Sequence, residues 1–442
     1  MTLPREVEEI IETLEKSGYE AYAVGGCVRD FLCGREISDW DVTTNATPDA
    51  VAAVFKGRNV VPTGVKHGTV SLMLRGAAYE ITTYRVDGRY LDGRRPESVS
   101  FTGDLREDLS RRDFTINAMA YNPRTGLLDL FGGADDIKRR VVRCVGTPAE
   151  RFGEDYLRMM RAYRFAAVLD FDLDPSIRDA VALRKNKILD IAAERLRAEL
   201  DKLMLSRAHD RFLLFMSDLG GALFPEVECL KEITQANAYH DQSAYDHSME
   251  VFRHAKPDLT HKLCALLHDT GKADTKTVNA AGETSFKGHA ELSEKIALAV
   301  LRRLKYDNAR ISAVTAIIRA HSAYKQLTRP GAKRVLMRMG PNLARELYHF
   351  AIADCHGKTP AAKHLLLPAL TANLSLFDDI QTSGEPVTLR DLAINGDDVA
   401  KALSTPPGKA VGDALSILLD QVHKDPTLNK REILLEILRS KE

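Results

Sequence analysis

A pair of glycines and two nearby carboxylates have the residue types and spacing of a metal-assisted phosphate site. The stretch YAVGGCVRDFLCGREISDWDVTT (22–44) opens with an apolar run that ends in Gly25 and Gly26. Glycines let a backbone approach a triphosphate because no Cβ intervenes, and the N–H groups at the start of the following helix point at the anion. Arg29 on that helix adds a charge-assisted contact.

Asp39 and Asp41 close the same stretch and are predicted to lie on one strand, where residues two apart project from the same face. Adjacent carboxylates repel each other unless a cation lies between them, and Mg²⁺ prefers oxygen ligands together with substrate phosphates. A glycine pair alone is more often an ordinary turn, and an isolated Asp-x-Asp is more often solvated. Together, about a dozen residues apart, they favour a magnesium-dependent nucleotidyl-transfer site.

The following segments are predicted to form a small sheet that positions these carboxylates. Alternating runs at 59–62, 69–74 and 78–84 are separated by glycines and are typical of antiparallel strands. Glu80 on the last run is a candidate third metal carboxylate, although an exposed strand glutamate is an equally good interpretation. Residues 86–98 (VDGRYLDGRRPES) lack periodicity and are typical of a loop, either functional or simply mobile.

Arginines stand beside an aspartate in LREDLSRRDFTINAMAYN (105–122). Arg111, Arg112 and Asp113 precede an apolar segment that is predicted to be a helix. A planar guanidinium pairs bidentately with phosphate, which favours a nucleotide contact. The alternative is a solvated basic pair, although a helix start is an unfavourable place for unpaired arginine.

A second arginine-rich stretch, RFGEDYLRMMRAYRFAAVLDF (151–171), is predicted to be one helix. Asp155, Arg158, Arg161 and Arg164 recur every three residues and drift slowly around one face. Such a face is costly to pack against a core, and a plain solvated face would contain more acids.

These stretches resemble the motifs of class II tRNA nucleotidyltransferases, the family of CCA-adding enzymes and related bacterial poly(A) polymerases. GG-x-VRD followed by DWDVTT resembles the first motif, and RRD and EDxxR resemble two later ones. ERLRAEL (194–200) matches a further motif, which is predicted to brace the EDxxR helix. The resemblance implies a polymerase-beta-like head, with tRNA, CTP and ATP as partners, and template-independent addition or repair of the 3′-terminal CCA with release of pyrophosphate.

The resemblance also implies individual roles. Gly26, Arg29 and Arg112 would hold the triphosphate, and the EDxxR pair Asp155 and Arg158 would select the base. Arg161 and Arg164 would assist nucleotide or primer binding. The loop at 86–98 would help the enzyme to switch between adding C and adding A.

A second constellation of histidines and aspartates recurs in apolar helical frames in the middle of the chain. Its members are His247, His268, Asp269, His289, His321 and Asp354. Imidazole and carboxylate together suit borderline divalent transition metals, and a carboxylate can bridge two ions that activate water against a phosphoester. The order resembles the HD phosphohydrolase superfamily, which implies phosphatase or 2′,3′-cyclic phosphodiesterase activity. For each histidine alone, a buried structural role is the alternative.

Length and composition indicate a globular protein of several domains. The 442 residues suggest about three or four domains, and 28% charged with 44% hydrophobic residues is ordinary for such a chain. No long uncharged apolar run occurs, and the acidic amphipathic start is unlike a signal peptide, which predicts a cytoplasmic location without a membrane partner. The six scattered cysteines are predicted to be reduced. A net charge of zero neither supports nor excludes RNA binding.

We predict an α+β fold, in which a polymerase-beta-like nucleotidyltransferase head with a mixed or antiparallel sheet precedes a mostly helical remainder. The predicted domains are the head (1–145), a neck and body for nucleotide selection and RNA binding (146–237), an HD-type metal-binding domain (238–375) and a tail (376–442). Helix starts in the tail can bind phosphates of tRNA without reading its sequence, although a simple packing element is the alternative.

Two other functions stay open at this level. A poly(A) polymerase or an enzyme that adds only the terminal A shares the head motifs, and the loop at 86–98 favours full CCA addition over both. The competitor from another class is an HD phosphohydrolase whose degenerate head only binds RNA. The intact carboxylates and arginines of the head argue against that degeneracy.

Overall fold

The computed structural model describes residues 1–88, 93, 97–235, 239, 242–280, 284–323 and 326–440. Its contacts divide the chain into two compact units, Met1–Phe224 and Pro225–Glu442. This division lies inside the predicted second domain (146–237), and the finer division into four domains stays a prediction. Most of the loop interpreted at 86–98 lies outside the described residues.

The first unit combines a sheet with helices. Its strands are β1 (Ala21–Val24), β2 (Asp41–Thr44), β3 (Asn59–Gly64), β4 (Thr69–Leu74), β5 (Ala77–Thr83), β6 (Arg85–Asp87), β7 (Val99–Phe101), β8 (Met119–Asn122), β9 (Gly126–Asp129), β10 (Val141–Val142) and β11 (Asp172–Leu173). Its helices are α1 (Arg5–Lys16), α2 (Gly26–Leu32), α3 (Pro48–Val54), α4 (Leu105–Ser110), α5 (Gly133–Arg139), α6 (Pro148–Glu154), α7 (Leu157–Leu169), α8 (Pro175–Arg184), α9 (Ala193–Met204), α10 (His209–Phe215) and α11 (Gly221–Leu223).

In the second unit the described residues are mostly helical. The helices are α12 (Pro225–Glu228), α13 (Ala244–His254), α14 (Leu259–Leu267), α15 (Lys272–Thr275), α16 (His289–Arg303), α17 (Asn308–Ala320), α18 (Arg329–Met339), α19 (Pro341–His356), α20 (Pro360–Ser383), α21 (Gly396–Ala402), α22 (Lys409–Lys424) and α23 (Arg431–Arg439). Two short strands, β12 (Thr277–Val278) and β13 (Thr284–Ser285), pair with each other. The predicted α+β class, with its sheet in the N-terminal part, is confirmed.

Seven strands form one sheet in the order β3-β4-β5-β2-β1-β8-β9. The predicted antiparallel strands near 59–62, 69–74 and 78–84 are confirmed as β3, β4 and β5. Strand β2 runs parallel to β5 with Asp41 opposite Glu80. Helix α1 covers the sheet with an apolar stripe of Val7, Ile10, Ile11 and Leu14, which are all buried. This core holds the carboxylate-bearing strands in register.

The prediction that Asp39 shares a strand with Asp41 is wrong. Strand β2 begins at Asp41, because its partner β1 pairs only as far as Ala23 opposite Val42, and the chain then turns at Gly25. Asp39 therefore lies just before the strand, where it accepts a hydrogen bond from Ser38 Oγ at 2.9 Å.

The expectation that the RRD arginines begin an apolar helix is also wrong. Helix α4 precedes them and Arg111 caps its C-terminal end, where the helix dipole favours cations. The apolar segment after Asp113 forms a 3₁₀ turn (Thr115–Asn117) and then strand β8. Its residues form a near-continuous buried run, a pattern that an interior strand and a buried helix share.

The stretch 151–171 is two helices rather than the one predicted. Helix α6 ends at Glu154, and Asp155 adopts an extended conformation (φ −135°, ψ 108°). The Asp155 carboxylate accepts from the Leu157 N–H at 3.0 Å at the start of α7. An aspartate that bonds nearby backbone competes with helix continuation, which explains the break.

Among the described residues, no helix combines the length and apolar character that crossing a membrane requires. The cytoplasmic location stays a prediction.

Candidate functional site

A cavity of about 460 Å³ in the first unit contains seven arginines and four acids. Its lining consists of Val24, Gly25, Gly26, Arg29, Asp41, Thr69, Glu80, Thr82, Arg85, Arg111, Arg112, Asp113, Asn117, Asp155, Leu157, Arg158, Arg161, Phe165 and Arg195. Of the residues predicted to form the nucleotidyl-transfer site, all except Asp39 and Arg164 line the cavity. The excess of guanidinium groups suits a polyanionic ligand.

The glycine turn brings the backbone close to an arginine. Gly25 has a φ of +78°, which side chains rarely adopt, and a Cβ there would lie 2.8 Å from Arg112 Nη1. Any larger residue would both strain the turn and displace the guanidinium. The turn and Arg112 thus form one surface on the cavity wall.

Two carboxylates of the sheet also line the cavity. Asp41 and Glu80 stand opposite each other on neighbouring strands, and Asp39 lies near enough to act on Asp41 electrostatically. Part of the Asp41 side chain is open to solvent, yet its recessed position raises its pKa by desolvation, and the negative charges of Glu80 and Asp39 raise it further. Arg112 opposes this shift. Carboxylate oxygens suit Mg²⁺, and a divalent cation among these residues would relieve the repulsion.

Arg29 is held by two groups. It donates to the Asp30 carboxylate at 2.9 and 2.8 Å and to Asn117 Oδ1 at 2.6 Å. Arg112 lies beside it, 3.4 Å from both an Asp108 oxygen and the Asn117 carbonyl. Both guanidinium groups therefore face the cavity from defined positions.

The predicted base-reading pair is held by internal partners. Asp155 accepts from Arg195 at 2.8 Å, in addition to its bond from the Leu157 N–H. Arg158 is 8% exposed and donates to Glu154 at 2.5 Å and to the Arg111 carbonyl at 3.0 Å. Both side chains line the cavity. Because these hydrogen bonds fix their orientations, both are in place before a nucleotide binds.

Helix α9 braces the arginines of α7. Glu199 accepts from Arg161 at 3.3 Å and from Arg164 at 2.6 Å, which confirms the bracing contact expected of ERLRAEL. Arg161 also donates to Asp113, and although burial would raise the pKa of this carboxyl, Arg161 and Asn117 lower it to about 2. Arg164 is buried against the Phe165 ring, 3.5 Å from its centroid, and does not line the cavity. Its position favours a bracing role over the predicted nucleotide contact.

Sequence reasoning missed Asn117, Phe165 and Arg195 as lining residues. Arg195 lies in ERLRAEL, which was interpreted only as a brace, and Asn117 lies four residues after the RRD aspartate. Phe165 follows Arg164 directly and was interpreted as part of an apolar helix. The spacing of four residues from Asp113 could have identified Asn117 as a lining residue. The sequence contains no comparable indication for Phe165.

In the second unit, the six predicted residues converge on one site beside a cavity of about 580 Å³. His247 Nε2 lies 3.0 Å from Asp354 Oδ1 and 3.3 Å from His268 Nε2. On the other side, His289 Nε2 lies 3.1 Å from His321 Nε2. Asp269 lies between the two groups, with one oxygen 3.3 Å from His268 Nε2 and the other 3.6 Å from both His289 and His321.

Backbone carbonyls orient all four imidazoles. Each Nδ1 faces a carbonyl oxygen, of Gly357, Ala265, Phe286 and Ile318 respectively, at 2.6–3.1 Å. Because a carbonyl only accepts, Nδ1 carries the proton, and in the neutral rings Nε2 presents a lone pair to the site. Lone pairs facing each other at 3.1 and 3.3 Å need a cation or a proton between them. Metal-binding histidines are oriented in this way.

The aspartates of this site each have a lysine partner. Lys272 Nζ lies 2.6 Å from Asp269 Oδ2, and Lys358 Nζ lies 2.9 Å from Asp354 Oδ2. Burial alone would raise the pKa of both carboxyls, but the charges of His268 and Lys272 hold the pKa of Asp269, and the charge of Lys358 holds that of Asp354, well below the ordinary value. Asp269 Oδ1 is buried without a hydrogen-bond partner among the described residues. The donor set thus fits divalent cations. Sequence reasoning missed both lysines, although each follows its aspartate by about one turn.

Family models match three parts of the chain. The poly(A) polymerase head domain matches residues 21–143, domain 2 of tRNA nucleotidyltransferase matches 284–438, and a model described as "Probable RNA and SrmB-binding site of polymerase A" matches 170–230.

Two curated relatives match nearly the whole chain, whereas others match about half of it. The CCA-adding enzyme of Limosilactobacillus fermentum is 34% identical over 438 residues, which are 98% of this chain and 97% of that protein. The CCA-adding enzyme of Lactiplantibacillus plantarum is 32% identical over 97% and 94% of the two chains. The match to the CCA-adding enzyme of Anoxybacillus flavithermus, at 44% identity, spans only 52% of this chain and 57% of that protein.

Solved structures share the fold. The Bacillus stearothermophilus CCA-adding enzyme in complex with CTP superimposes with a TM-score of 0.71 at 29% identity and covers 100% of this chain and 98% of its own. The Thermotoga maritima CCA-adding enzyme complexed with tRNA has a TM-score of 0.62 at 21% identity over 100% and 97% of the two chains, which supports the fold alone.

Proposed function

Because this chain belongs to the family of CCA-adding enzymes, we propose that it adds or repairs the 3′-terminal CCA of tRNA from CTP and ATP without a nucleic-acid template. Pyrophosphate is the second product. The observation that carries the proposal is the first cavity, which is lined by Asp41 and Glu80 and by seven arginines. The carboxylates suit a metal and the arginines suit a triphosphate.

The residues of this cavity would bind different parts of the substrate complex. Asp39, Asp41 and Glu80 would hold Mg²⁺, which when bound lowers the pKa of the tRNA 3′-hydroxyl and offsets charge on the leaving pyrophosphate. The turn at Gly25 and Gly26 would accept the triphosphate together with Arg29 and Arg112, whose guanidinium groups face the cavity.

Two residues of the predicted neck, Asp155 and Arg158, would select the base. Asp155 would accept from the exocyclic amine of C or A, and Arg158 would donate to a ring nitrogen or carbonyl. Uracil and guanine present a carbonyl where cytosine and adenine present that amine, and two acceptors that face each other repel, so the Asp155 side chain disfavours both bases. Arg195 keeps this carboxylate oriented at 2.8 Å.

The metal assignment is tested with Asp41→Asn on tRNA that lacks CCA. Loss of one charged metal ligand is expected to lower incorporation about 1,000-fold, since metal ions supply several kcal/mol of transition-state stabilisation. Asp49→Asn, an exposed carboxylate on α3, is the matched control and should leave the rate unchanged. Undiminished incorporation by Asp41→Asn would refute the assignment.

Assays on tRNA with a defined 3′ end distinguish an enzyme that adds all of CCA from one that adds only A. On tRNA that ends at the discriminator base, CTP alone should yield two added C residues, and subsequent ATP should add one A. A poly(A) polymerase or A-only enzyme should add nothing with CTP. Incorporation of A in long runs from ATP alone would favour the poly(A) polymerase instead.

We propose a second activity, metal-dependent hydrolysis of phosphoesters, for the site of His247, His268 and their partners. The convergence of four Nε2 atoms and two carboxylates carries this proposal. His268→Ala should abolish hydrolysis of a 2′,3′-cyclic phosphate while incorporation continues, and the exposed His254→Ala is the control. Hydrolysis by His268→Ala as fast as by the unaltered protein would remove the site from the reaction. If only hydrolysis were found, the head would be an RNA-binding module.

A further inference from the structure

Asn117 lies in the first cavity between the triphosphate side and the neck. Its Oδ1 accepts from Arg29 Nη1 at 2.6 Å, and its Nδ2 donates to Asp113 Oδ1 at 3.0 Å. The residue is 7% exposed and lines the cavity. An amide can accept on one side and donate on the other, whereas a carboxylate could not donate and an alkyl group could do neither.

The far side of Asn117 is anchored by ion pairs. Asp113 Oδ2 accepts from Arg161 at 2.7–2.8 Å, and Arg161 reaches Glu199 at 3.3 Å. Asp113 also accepts from the Phe114 N–H at 2.8 Å. The Asn117 side chain therefore has one fixed orientation, because its donor side is bound to a buried, ionised carboxylate.

Arg29 has a second support on the same side. Its guanidinium lies 5.0 Å from the centroid of the Phe165 ring, which also contacts Arg161 at 5.3 Å. Cation–π contacts of this kind favour a defined position of the guanidinium over a ring face. Asn117 and Phe165 together restrict a long side chain that would otherwise sample several rotamers.

We propose that Asn117 is a positioning residue that holds Arg29 ready for the triphosphate of the incoming nucleotide. The inference rests on the proposed function, in which Arg29 binds that triphosphate. Asn117 acts through Arg29. Without the Asn117 acceptor, the Arg29 contacts that remain among the described residues are the Asp30 pair and the Phe165 ring, and triphosphate binding must then order the side chain.

The probe is inorganic tripolyphosphate, measured as a competitive inhibitor of CTP incorporation, because it reports on the phosphate contacts without the base. Asn117→Ala is expected to raise its inhibition constant about tenfold, the weight of a hydrogen bond to a charged group. The KM for CTP and for ATP should rise by a similar factor, while kcat changes less.

Asn122→Ala is the matched control. Asn122 is 2% exposed on β8 and its Nδ2 donates to the Ala21 carbonyl at 2.9 Å and to Glu15 at 2.8 Å, outside the cavity. Asn122→Ala and Asn117→Ala each remove one buried side-chain amide, so the two variants should lose similar thermal stability. Only Asn117→Ala should change tripolyphosphate inhibition, and an equal change in both variants would overturn the proposal.

A double-mutant cycle separates this inference from the proposed function. If Asn117 acts through Arg29, adding Asn117→Ala to Arg29→Ala should raise the inhibition constant no further. Additive effects would overturn the inference and leave the function intact. An Arg29→Ala variant that binds tripolyphosphate normally would instead refute the triphosphate site itself.

Discussion

At the scale of residues, the side chains proposed to read the base are already paired in the free protein. Asp155 accepts hydrogen bonds from Arg195 and from the Leu157 N–H. Arg158 donates to Glu154 and to the Arg111 carbonyl. A carboxylate has about four acceptor positions, so two remain for a nucleotide amine. Preorganisation of this kind lowers the cost of ordering side chains when the substrate binds.

Asp155→Asn is predicted to relax base selection, because an amide donates where the carboxylate only accepts. We expect incorporation of C and A to fall about 10- to 100-fold and misincorporation of U to rise, since one bidentate pair is worth about 1–3 kcal/mol of discrimination. Single-turnover incorporation with each nucleotide measures both effects. Asp172→Asn, an exposed partner of Arg211, is the control. Unchanged selectivity in Asp155→Asn would remove this residue from base reading.

At the scale of elements, α9 determines how α7 presents its arginines. Glu199 is 8% exposed and pairs with Arg161 and Arg164, of which Arg164 is 9% exposed. Buried charges are tolerated only in such pairs, because desolvation would otherwise disfavour the charged form. Together with the Glu154 partner of Arg158, this contact explains why three arginines can follow one another along α7 next to a packed core.

Glu199→Gln is predicted to destabilise the first unit by about 3 kcal/mol, because the buried Arg164 loses its charged partner, whereas Arg161 keeps its pair with Asp113. The KM for CTP should also rise, since Arg161 lines the cavity. Denaturant unfolding and steady-state kinetics measure the two effects. Glu194→Gln in the exposed first turn of α9 should change stability by less than about 0.5 kcal/mol. A variant as stable as the control would show that α9 does not brace α7.

At the scale of the whole molecule, the chain carries two candidate metal sites of different chemistry in separate compact units. Oxygen ligands predominate in the first unit and imidazoles in the second, which favours Mg²⁺ for one and a borderline transition metal for the other. The stability of each unit also rests on its own buried charges. In the second unit Lys333 is fully buried and lies 2.6 Å from Glu385.

Unfolding of the second unit is predicted to depend on pH through Glu385. The hydrogen bond from Arg329 and the charge of Lys333 lower its pKa from 4.5 to about 2. A lowered pKa stabilises the folded state above the unfolded value near 4.5, and this contribution is lost as the pH falls toward 2. With partial solvent screening it amounts to about 2 kcal/mol.

Glu385→Gln should therefore lower stability at neutral pH and flatten the decline in stability between about pH 5 and pH 2. Asp379→Asn removes a partner of the same Arg329, but its side chain is 65% exposed and the change should have little effect. Urea unfolding across this range measures the slopes. Identical slopes in Glu385→Gln and the unaltered protein would contradict the assignment.

The sequence by itself determined the α+β class, the strands of the head, the glycine turn and the histidines and aspartates that meet in the second unit. These follow from local periodicity and motif spacing, which reflect short-range backbone geometry. Two local predictions were wrong. The pairing of β1 with β2 leaves Asp39 outside the strand, and the hydrogen bond from the Leu157 N–H to the Asp155 side chain breaks the predicted single helix. Only the tertiary structure set Glu80 opposite Asp41, Arg195 on Asp155 and Asn117 under Arg29. Their partners are distant in sequence, and only packing of the whole unit determines which distant side chains meet.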